Sequence, residues 1–411
     1  MKRVILIIAF ALGIFSNISL HAIDSQENIE VSVLTCSPGQ EVYSLYGHTA
    51  IRVKDNINRT DYVFNYGVFD FETEYFVWKF VLGKTDYLCM ATPWEYFLKE
   101  YRDRGSSVVS QTLNLTDSET LKIKDYLYNN IRRENRTYRY NFLTNNCTTR
   151  VMDCVESCID GDLVYSWQQT PLTYRQILHE YTQAFPWCQE GNDILLGADV
   201  DTVLSHRATC FIPEYYMKAI ETAVVRNEFQ DTRKLVKHTS TILQANPHIT
   251  TNTHAFPLEP FELGWLAFAI CILILFIEFV TKKMLWGLDV ILLLAQGLAG
   301  CLTTFMFFVS EHPAVDSNWL IGILNPLPLF ILPYVTKAAF HDKQSLWHYF
   351  LAVWIAAYML FIPWMPQHLC TLTIPILALL LSRQVSYILH YGRSANKTHN
   401  NKKSKKKRKN K

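Results

Sequence analysis

A strand, a turn and a helix are predicted to meet in the stretch Tyr140-Asn141-Phe142-Leu143-Thr144-Asn145-Asn146-Cys147-Thr148-Thr149-Arg150. The residue pattern is typical of a strand over 138–142 and a turn over 143–146. A helix is predicted over 148–159, because Val151, Val155 and Ile159 recur on one helical face. Cys147 therefore falls at the N-terminus of a helix.

Cys147 occupies a position that favours a reactive thiolate. Unpaired backbone N–H groups and the positive end of the helix dipole stabilise a negatively charged sulfur. The same N–H groups, together with Thr148 and Arg150, are candidates for stabilising an oxyanion. A lone cysteine at a helix start is also commonly structural. Asn146-Cys147-Thr148 further matches a glycosylation sequon, which we discount.

A second motif, Leu45-Tyr46-Gly47-His48-Thr49-Ala50-Ile51-Arg52-Val53, places a histidine at the start of a predicted strand. The glycine before it lets another backbone or a ligand approach closely. An imidazole within reach of a thiol with a lowered pKa gives an activated nucleophile. A strand histidine is otherwise a packed or surface residue, so neither motif alone carries a catalytic assignment.

The composition indicates a membrane protein rather than an ordinary soluble one. Of the 411 residues, 49% are hydrophobic and 18% are charged, whereas soluble chains average about 25% charged residues. The net charge of +2 hides a basic tail, because residues 391–411 hold ten Lys and Arg and no acidic residue. The body is acidic, which argues against nucleic acid as a partner.

Five apolar stretches near membrane-spanning length follow residue 262, namely 263–280, 285–309, 319–335, 345–365 and 369–389. Asn325 and three prolines interrupt the third stretch, which we predict to be a kinked span. Lysines follow the first, third and fifth stretches, while the other two loops carry no Lys or Arg. The positive-inside rule then places the C-terminal tail in the cytoplasm.

The N-terminus has the pattern of a secretory signal peptide over residues 1–22, with a basic start, a short apolar run and a small residue for cleavage. An uncleaved anchor stays open, because Leu20 fits the cleavage pattern poorly. Export of the chain agrees with an odd number of spans. We therefore predict an exported domain over 23–260, a membrane domain over 261–390 and a basic cytoplasmic tail over 391–411.

The exported part is predicted to mix strands and helices. Strands over 42–54 and 61–69 flank a hairpin loop, and Thr116 with Glu119 forms a capping box that begins a helix. Residues 160–260 show mixed helical patterns, and we assign no chemistry to them. The seven cysteines of the exported part are an odd number without a CxxC pair, so we expect at least one free thiol and no metal site or cofactor.

The two motifs and the apolar stretches together resemble one family. The segments Gly47 to Val53 and Asn141 to Arg150, with the loop residues Ser310-Glu311-His312-Pro313 and Asn318-Trp319, are similar to the Lnb-type lipoprotein N-acyltransferases of bacteria. More distantly, the order of histidine before cysteine resembles the permuted papain-like fold of lecithin:retinol acyltransferase. The resemblance implies an α+β exported domain, permuted papain-like, followed by an all-α transmembrane domain of five helices.

The resemblance also implies that Cys147 is the acyl-accepting nucleophile and His48 its general base. Triad logic requires a third group that orients the histidine, and permuted relatives take it from the strand after the histidine strand. Hairpin pairing places His48 opposite residues 65–67, which favours Asn65, with Asp61 as the alternative if the register shifts. A purely structural role for Asn65 at a strand end stays open.

The implied reaction is acyl transfer through a thioester on Cys147. A membrane phospholipid donates the acyl chain, and the α-amine of diacylglyceryl-cysteine at a lipoprotein N-terminus accepts it. The protein would then be a multi-pass protein of the bacterial inner membrane with its catalytic domain in the periplasm. Two alternatives stay open: a membrane-tethered envelope thiol hydrolase (amidase or peptidase), and a non-catalytic receptor or scaffold with a structural Cys147.

Residues outside the two motifs have alternative roles as well. His312, in an outward-facing loop, is a candidate for contacting substrate headgroups or the acceptor amine, or it ends a helix at the interface. The aromatic run within 69–80 is predicted to pack in the core, with an acyl-chain groove or a membrane-docking surface as the alternative. Glu278 and Asp289 are expected to snorkel or to pair helices.

Overall fold

The computed structural model describes residues 28–39, 41–69, 74–167, 170–246 and 256–409, with side chains up to Tyr391. The predicted signal segment lies outside the described residues. An N-terminal α+β domain is followed by a helical membrane domain, as the sequence predicts.

The strands of the N-terminal domain build two antiparallel sheets within the described residues. They are β1 (Ile29–Cys36), β2 (His48–Asp55), β3 (Thr60–Val68), β4 (Asp86–Pro93), β5 (Val108–Leu113), β6 (Thr137–Arg139), β7 (Asp162–Val164), β8 (Val224–Arg226), β9 (Thr232–Lys234) and β10 (Val236–Leu243). The large sheet has the order β10–β5–β1–β2–β3–β4–β6, and the small sheet has the order β7–β8–β9.

Helices cover both faces of the large sheet. The helices of this domain are α1 (Phe76–Val81), α2 (Trp94–Asp103), α3 (Asp117–Asn130), α4 (Cys147–Cys158), α5 (Tyr174–Thr182), α6 (Pro186–Leu195), α7 (His206–Thr209) and α8 (Pro213–Glu221). Side chains alternate along a strand, so Phe64 packs with α3, α4 and α8 while its neighbour Val63 packs with α2. The core is therefore divided into two layers by the sheet.

Local sequence signals account for the elements next to the site. The β2–β3 hairpin turns where Asp55 Oδ1 accepts the N–H groups of Ile57 and Asn58 at 3.0 and 2.9 Å, which is an Asx-type turn. The capping box that begins α3 is confirmed, because Thr116 and Glu119 each bond the other's backbone N–H.

Two predictions about this domain differ from the structure. The strand predicted over 42–54 begins only at His48, because residues 42–44 form a 3₁₀ turn and Gly47 follows in a left-handed conformation with φ +79°. The mixed helical patterns over 160–260 include strands as well as helices. Strands of three residues, such as β7, are too short to show an alternating pattern.

Five helical segments of the described chain are long and apolar enough to cross a membrane. They lie in α9 (Pro260–Thr281), α10 (Trp286–Val309), a 3₁₀ turn (Trp319–Gly322) followed by α11 (Leu327–Phe340), α12 (Leu346–Phe361) with a 3₁₀ turn (Ile362–Trp364), and α13 (Thr373–Lys409). The five predicted spans are therefore confirmed as helices.

The third span, Trp319–Phe340, is broken between its 3₁₀ turn and α11. At this break Gln296 and Thr303 of α10 donate to the carbonyls of Ile323 and Leu324, at 3.0 and 2.6 Å. The neighbouring helix thus satisfies backbone groups that the break frees, which is the condition for a broken helix inside a membrane.

Buried polar contacts fix the N-terminal domain on one end of the helix bundle. Asn318 Nδ2 donates to the carbonyl of Ile194 at 2.7 Å, and Gln367 Nε2 donates to that of Leu196 at 3.1 Å. Glu190, which is buried, accepts the N–H of Leu372 just before α13 at 2.8 Å. Polar groups of one domain thus find their hydrogen-bond partners in the other domain. These contacts give the two domains a defined relative position.

Candidate active site

Asn146 fixes the turn that leads into α4. Its Oδ1 accepts the N–H groups of Thr148 and Thr149, both at 2.9 Å, as an N-cap. Its Nδ2 donates to the carbonyls of Phe142 and Phe211, at 2.7 and 2.9 Å. One buried side chain therefore holds the helix start, the preceding turn and a separate loop together.

His48 is held at the start of β2 by a close approach of two strands. It lies opposite Cys36 in the register of β1 and β2. A Cβ atom on Gly47 would lie 2.6 Å from the carbonyl oxygen of Cys36, closer than any side chain tolerates. Glycine is required here for both its positive φ and its missing side chain.

The side chains of His48, Asn65 and Cys147 meet at this end of the sheet. Asn65 Nδ2 donates to the carbonyl of Val63 and to Thr92 Oγ1, at 3.4 and 3.3 Å. Asn65 Oδ1 therefore faces His48 Nε2, at 3.2 Å, and accepts a hydrogen bond from its N–H. In that tautomer the other ring nitrogen, Nδ1, carries a lone pair and is the basic atom of His48.

The electrostatics of Cys147 and His48 favour charge separation between them. Burial opposes a thiolate, but the positive charge of His48 and its hydrogen bond outweigh burial and lower the pKa of the Cys147 thiol. Burial likewise opposes a charged imidazole, but the negative charge of Cys147 raises the pKa of His48 above its usual value. Each group thus stabilises the charged form of the other.

A second contact joins the two motifs directly beside these residues. The hydroxyl groups of Thr49 and Thr148 lie 3.1 Å apart, both buried. The N–H of Thr49 and the hydroxyl of Thr148 also stabilise the Cys147 thiolate and contribute to lowering its pKa. The residue after each predicted catalytic residue therefore holds the two chain segments together.

Asp61, the alternative orienting residue, is engaged elsewhere. Its carboxylate accepts two hydrogen bonds from Arg52, at 2.8 and 2.6 Å, and it lies opposite Lys54 in the β2–β3 register. A bidentate pair of this kind fixes the carboxylate. The structure thus brings Asn65, and not Asp61, to the imidazole of His48.

Thr148 and Arg150 have contacts within the protein, and their role as oxyanion donors stays a prediction. The N–H of Thr148 donates to Asn146 Oδ1, and its hydroxyl lies 3.1 Å from that of Thr49 and 3.9 Å from Cys147 Sγ. The guanidinium of Arg150 stacks over the ring of Tyr138, 4.4 Å from its centre. The N–H of Cys147, at the first helical position, is a donor that no helical carbonyl satisfies, so it is a further candidate.

His312 lies at the contact between the two domains. Its Nε2 bonds the carbonyl oxygen of Phe80, and the two rings meet edge to face at 5.3 Å. Burial lowers the pKa of His312, and a ring N–H is the donor in this bond because the carbonyl oxygen accepts. The structure thus gives His312 a docking contact, and its substrate role stays a prediction.

Two residues that hold the site were missed from the sequence. Asn146 carries a signal, because asparagine directly before a helical pattern is a preferred N-cap. Thr92 carries none, since its contact with Asn65 depends on the β3–β4 register, which is interrupted by an irregularity after Asn65.

Replacing Asn146 with alanine is expected to slow alkylation of Cys147 as well as to destabilise the protein. Loss of an N-cap costs about 1 kcal/mol, and here the turn before the cysteine also loses two hydrogen bonds. Thr116→Ala is the matched control, because it removes the N-cap of α3. Thermal unfolding should show lower stability in both variants. Iodoacetamide should label Cys147 more slowly only in Asn146→Ala. Equal labelling of Cys147 in both would contradict the role of Asn146.

Comparison with known families gives two matches in the order of the observed domains. The Lnb N-terminal periplasmic domain matches residues 17–180, and the Lnb transmembrane domain matches residues 251–394. No curated protein and no solved structure matches the chain. The first family match contains His48, Asn65 and Cys147, and the second contains the five spans. The chain therefore belongs to the Lnb family and is a multi-pass membrane protein with a periplasmic N-terminal domain.

Proposed function

We propose that the protein is a lipoprotein N-acyltransferase of the inner membrane, with Cys147 as nucleophile and His48 as general base. The observation that carries the proposal is the meeting of a thiol, an imidazole and the Asn65 amide in a domain fixed on five membrane spans. A thiol, a base and a group that orients the base are the elements of nucleophilic acyl transfer.

The first half-reaction loads the acyl chain on the enzyme. His48 Nδ1 takes the proton of Cys147, and the sulfur attacks the carbonyl carbon of a phospholipid ester. A carbon–sulfur bond forms, and the bond from that carbon to the glycerol oxygen breaks. His48 returns the proton to this oxygen, which leaves as a lysophospholipid. The N–H of Cys147, which no helical carbonyl accepts, is the proposed donor to the intermediate oxyanion.

The second half-reaction transfers the chain to the lipoprotein. The free α-amine of diacylglyceryl-cysteine attacks the thioester carbon, forming a carbon–nitrogen bond and breaking the carbon–sulfur bond. His48 takes a proton from the attacking nitrogen and gives it to the leaving sulfur. A thioester suits this step because an amine attacks it readily, and the free thiol is regenerated without a cofactor.

The membrane domain supports this choice of substrates. Donor and acceptor both remain in the bilayer, and the contacts of Asn318, Gln367 and Glu190 hold the N-terminal domain against one end of the spans. An enzyme that acts on soluble cell-wall fragments gains nothing from five spans. We accordingly propose that the chemistry takes place at the periplasmic membrane surface and that the C-terminal tail is cytoplasmic.

The test is mass spectrometry of lipoprotein N-termini from a strain deleted for the gene. The strain is complemented with the wild type, with Cys147→Ala, or with Cys188→Ala as a matched control at a half-buried cysteine. We expect triacylated N-termini with the wild type and Cys188→Ala, and free α-amines with Cys147→Ala at equal protein level. N-acylation that persists with Cys147→Ala refutes the proposal. Normal acylation together with altered cell-wall fragments in the deletion strain would instead identify a thiol hydrolase.

A further inference from the structure

Helix α1 exposes an apolar side that the sequence predicted to be packed. Tyr75, Val77, Trp78 and Phe80 are 70%, 74%, 57% and 48% exposed. The predicted core packing is thus wrong for the three aromatic residues among them, and Phe71 lies outside the described residues. Large apolar side chains side by side on a surface mark a site of interaction.

The end of α1 is fixed to the periplasmic end of the second span. The carbonyl oxygen of Val81 accepts the hydroxyl of Ser310 at 2.8 Å, and that of Leu82 accepts the N–H of Glu311 at 2.8 Å. Ser310 and Glu311 directly follow α10, which ends at Val309. Helix α1 therefore ends at the level where the span leaves the bilayer.

Trp78 reaches along the side of this span. Its ring centre lies 5.6 Å from that of Phe305, four residues before the end of α10, which corresponds to about 6 Å of helix length. Lys79, between Trp78 and Phe80, is exposed. Aromatic residues next to a lysine are typical of segments that lie at the membrane interface.

We propose that α1 lies in the periplasmic leaflet of the bilayer against α10, and that lipid acyl chains cover its exposed side. The exposed surface of α1 is continuous with the lipid-facing side of a membrane span, which identifies the occupant as lipid. This inference deepens the proposed function and rests on it for its second part: α1 guides the acyl chain of the donor lipid toward Cys147.

Packed aromatic rings connect α1 with the interior of the N-terminal domain. The ring of Phe76 lies 5.9 Å from Phe69, which lies 5.1 Å from Tyr87. The rings of Tyr87 and Tyr140 stack at 4.2 Å. These four aromatic side chains form one continuous row of packed rings, called the wall below, that starts at α1.

The wall ends beside the nucleophile. A Cβ atom on Gly67 would lie 3.8 Å from Cys147 Cβ and 4.0 Å from Tyr140 Cε2, so the three residues surround one point. Gly67 has φ +87°, where a side chain is strained. The row of packed rings that begins at α1 thus reaches Cys147, and the proposed path of the acyl chain follows this row.

The first test measures the position of α1 without reference to activity. The photoreactive residue p-benzoylphenylalanine replaces Val77, or Phe229 as a control that is 84% exposed in the loop between β8 and β9. The full-length protein is irradiated in nanodiscs of phosphatidylethanolamine and phosphatidylglycerol. We expect lipid adducts by mass spectrometry at position 77 and none above background at 229. Absence of adducts at 77, or equal adducts at both, overturns the proposal.

The second test separates guidance of the chain from the chemistry. The double variant Val77→Glu with Trp78→Glu places two charges at the interface, and Phe229→Glu is the matched control. Acylation of Cys147 from phospholipid vesicles should fall about tenfold in the double variant, since charged side chains are disfavoured in lipid. Acylation from p-nitrophenyl butyrate, a soluble ester, should be unchanged in all variants.

The outcomes distinguish the two proposals. An unchanged rate from phospholipid in the double variant overturns guidance by α1, and an equal fall with both esters does the same, because it indicates damage to the site. If neither ester acylates Cys147 in the wild type, the proposed function fails, while the adducts at position 77 still decide where α1 lies.

Discussion

Replacing His48 with alanine is expected to slow the loading of Cys147 with an acyl chain by about 10²–10⁴-fold, the contribution typical of a general base. In the proposed reaction His48 Nδ1 accepts the thiol proton, since Nε2 is bonded to Asn65. Without the imidazole, the thiol stays protonated in a site that disfavours charge. Intact-protein mass spectrometry after mixing with phospholipid vesicles measures the acylated fraction against time.

The same variant should shift the pH dependence of Cys147 alkylation upward. In the wild type, burial raises the pKa of the thiol but the His48 interactions outweigh it, so the net pKa is lowered. In His48→Ala the burial remains and the largest opposing cause is lost, so the pKa of the thiol should rise. Iodoacetamide should therefore label Cys147 at neutral pH in the wild type much faster than in the variant, with the difference shrinking at high pH.

Two further variants sharpen this result. His206→Ala removes an exposed histidine and should leave both the loading rate and the pH profile unchanged. Asn65→Ala removes a positioning residue, so we expect a smaller loss than for His48→Ala and a downward shift in the pKa of His48, which the Asn65 hydrogen bond helps to raise. A pH profile of His48→Ala that matches the wild type would contradict the thiolate–imidazolium pair.

The contact between His48 and Asn65 could be predicted from the sequence because it depends on local geometry. One hairpin connects the two residues, and side chains alternate along both strands. In the register, Asn65 lies opposite Ala50, two residues from His48 on the same face. The position of Cys147 at a helix start also follows from a local pattern, the apolar period of α4.

The rest depends on contacts between distant segments, which one sequence does not contain. The pairing of β10 with β5 joins residues more than a hundred positions apart, and nothing in either strand indicates its partner. The contact of α1 with the end of α10 also joins segments that are far apart in the sequence. The aromatic residues of α1 have the same composition as a core segment, so hydropathy alone does not separate a packed surface from a lipid-facing one.

Arg383 is a further partner that the sequence did not reveal, although helix pairing by Glu278 and Asp289 was one expectation for these acids. Arg383 is fully buried on α13 and donates two hydrogen bonds to Asp289, at 2.8 and 2.7 Å. The third nitrogen of its guanidinium, Nη1, donates to the carboxylate of Glu278 at 2.9 Å. One guanidinium thus ties α9, α10 and α13 together through two buried carboxylates.

Arg383→Met is expected to be the most destabilising single change in the membrane domain, by about 3–5 kcal/mol, because it leaves two buried carboxylates without a cation. Asp289→Asn should cost less, since it removes one charge from the bidentate contact. Glu278→Gln should be the mildest, because it leaves the bidentate Arg383–Asp289 pair and its balanced charges in place. Thermal unfolding of the full-length protein in detergent measures the order.

A combined variant distinguishes charge compensation from simple packing as the cause of the destabilisation. Lys283→Met, which removes an exposed charge near the end of α9, should change stability by less than about 0.5 kcal/mol. Combining Arg383→Met with Glu278→Gln and Asp289→Leu removes the cation and both negative charges, and this should recover most of the loss. If packing rather than charge held the helices, the triple variant would be less stable than Arg383→Met, because each further substitution would remove more contacts. Recovery in the triple variant therefore requires that uncompensated charge, and not the lost volume of Arg383, is what destabilises the bundle.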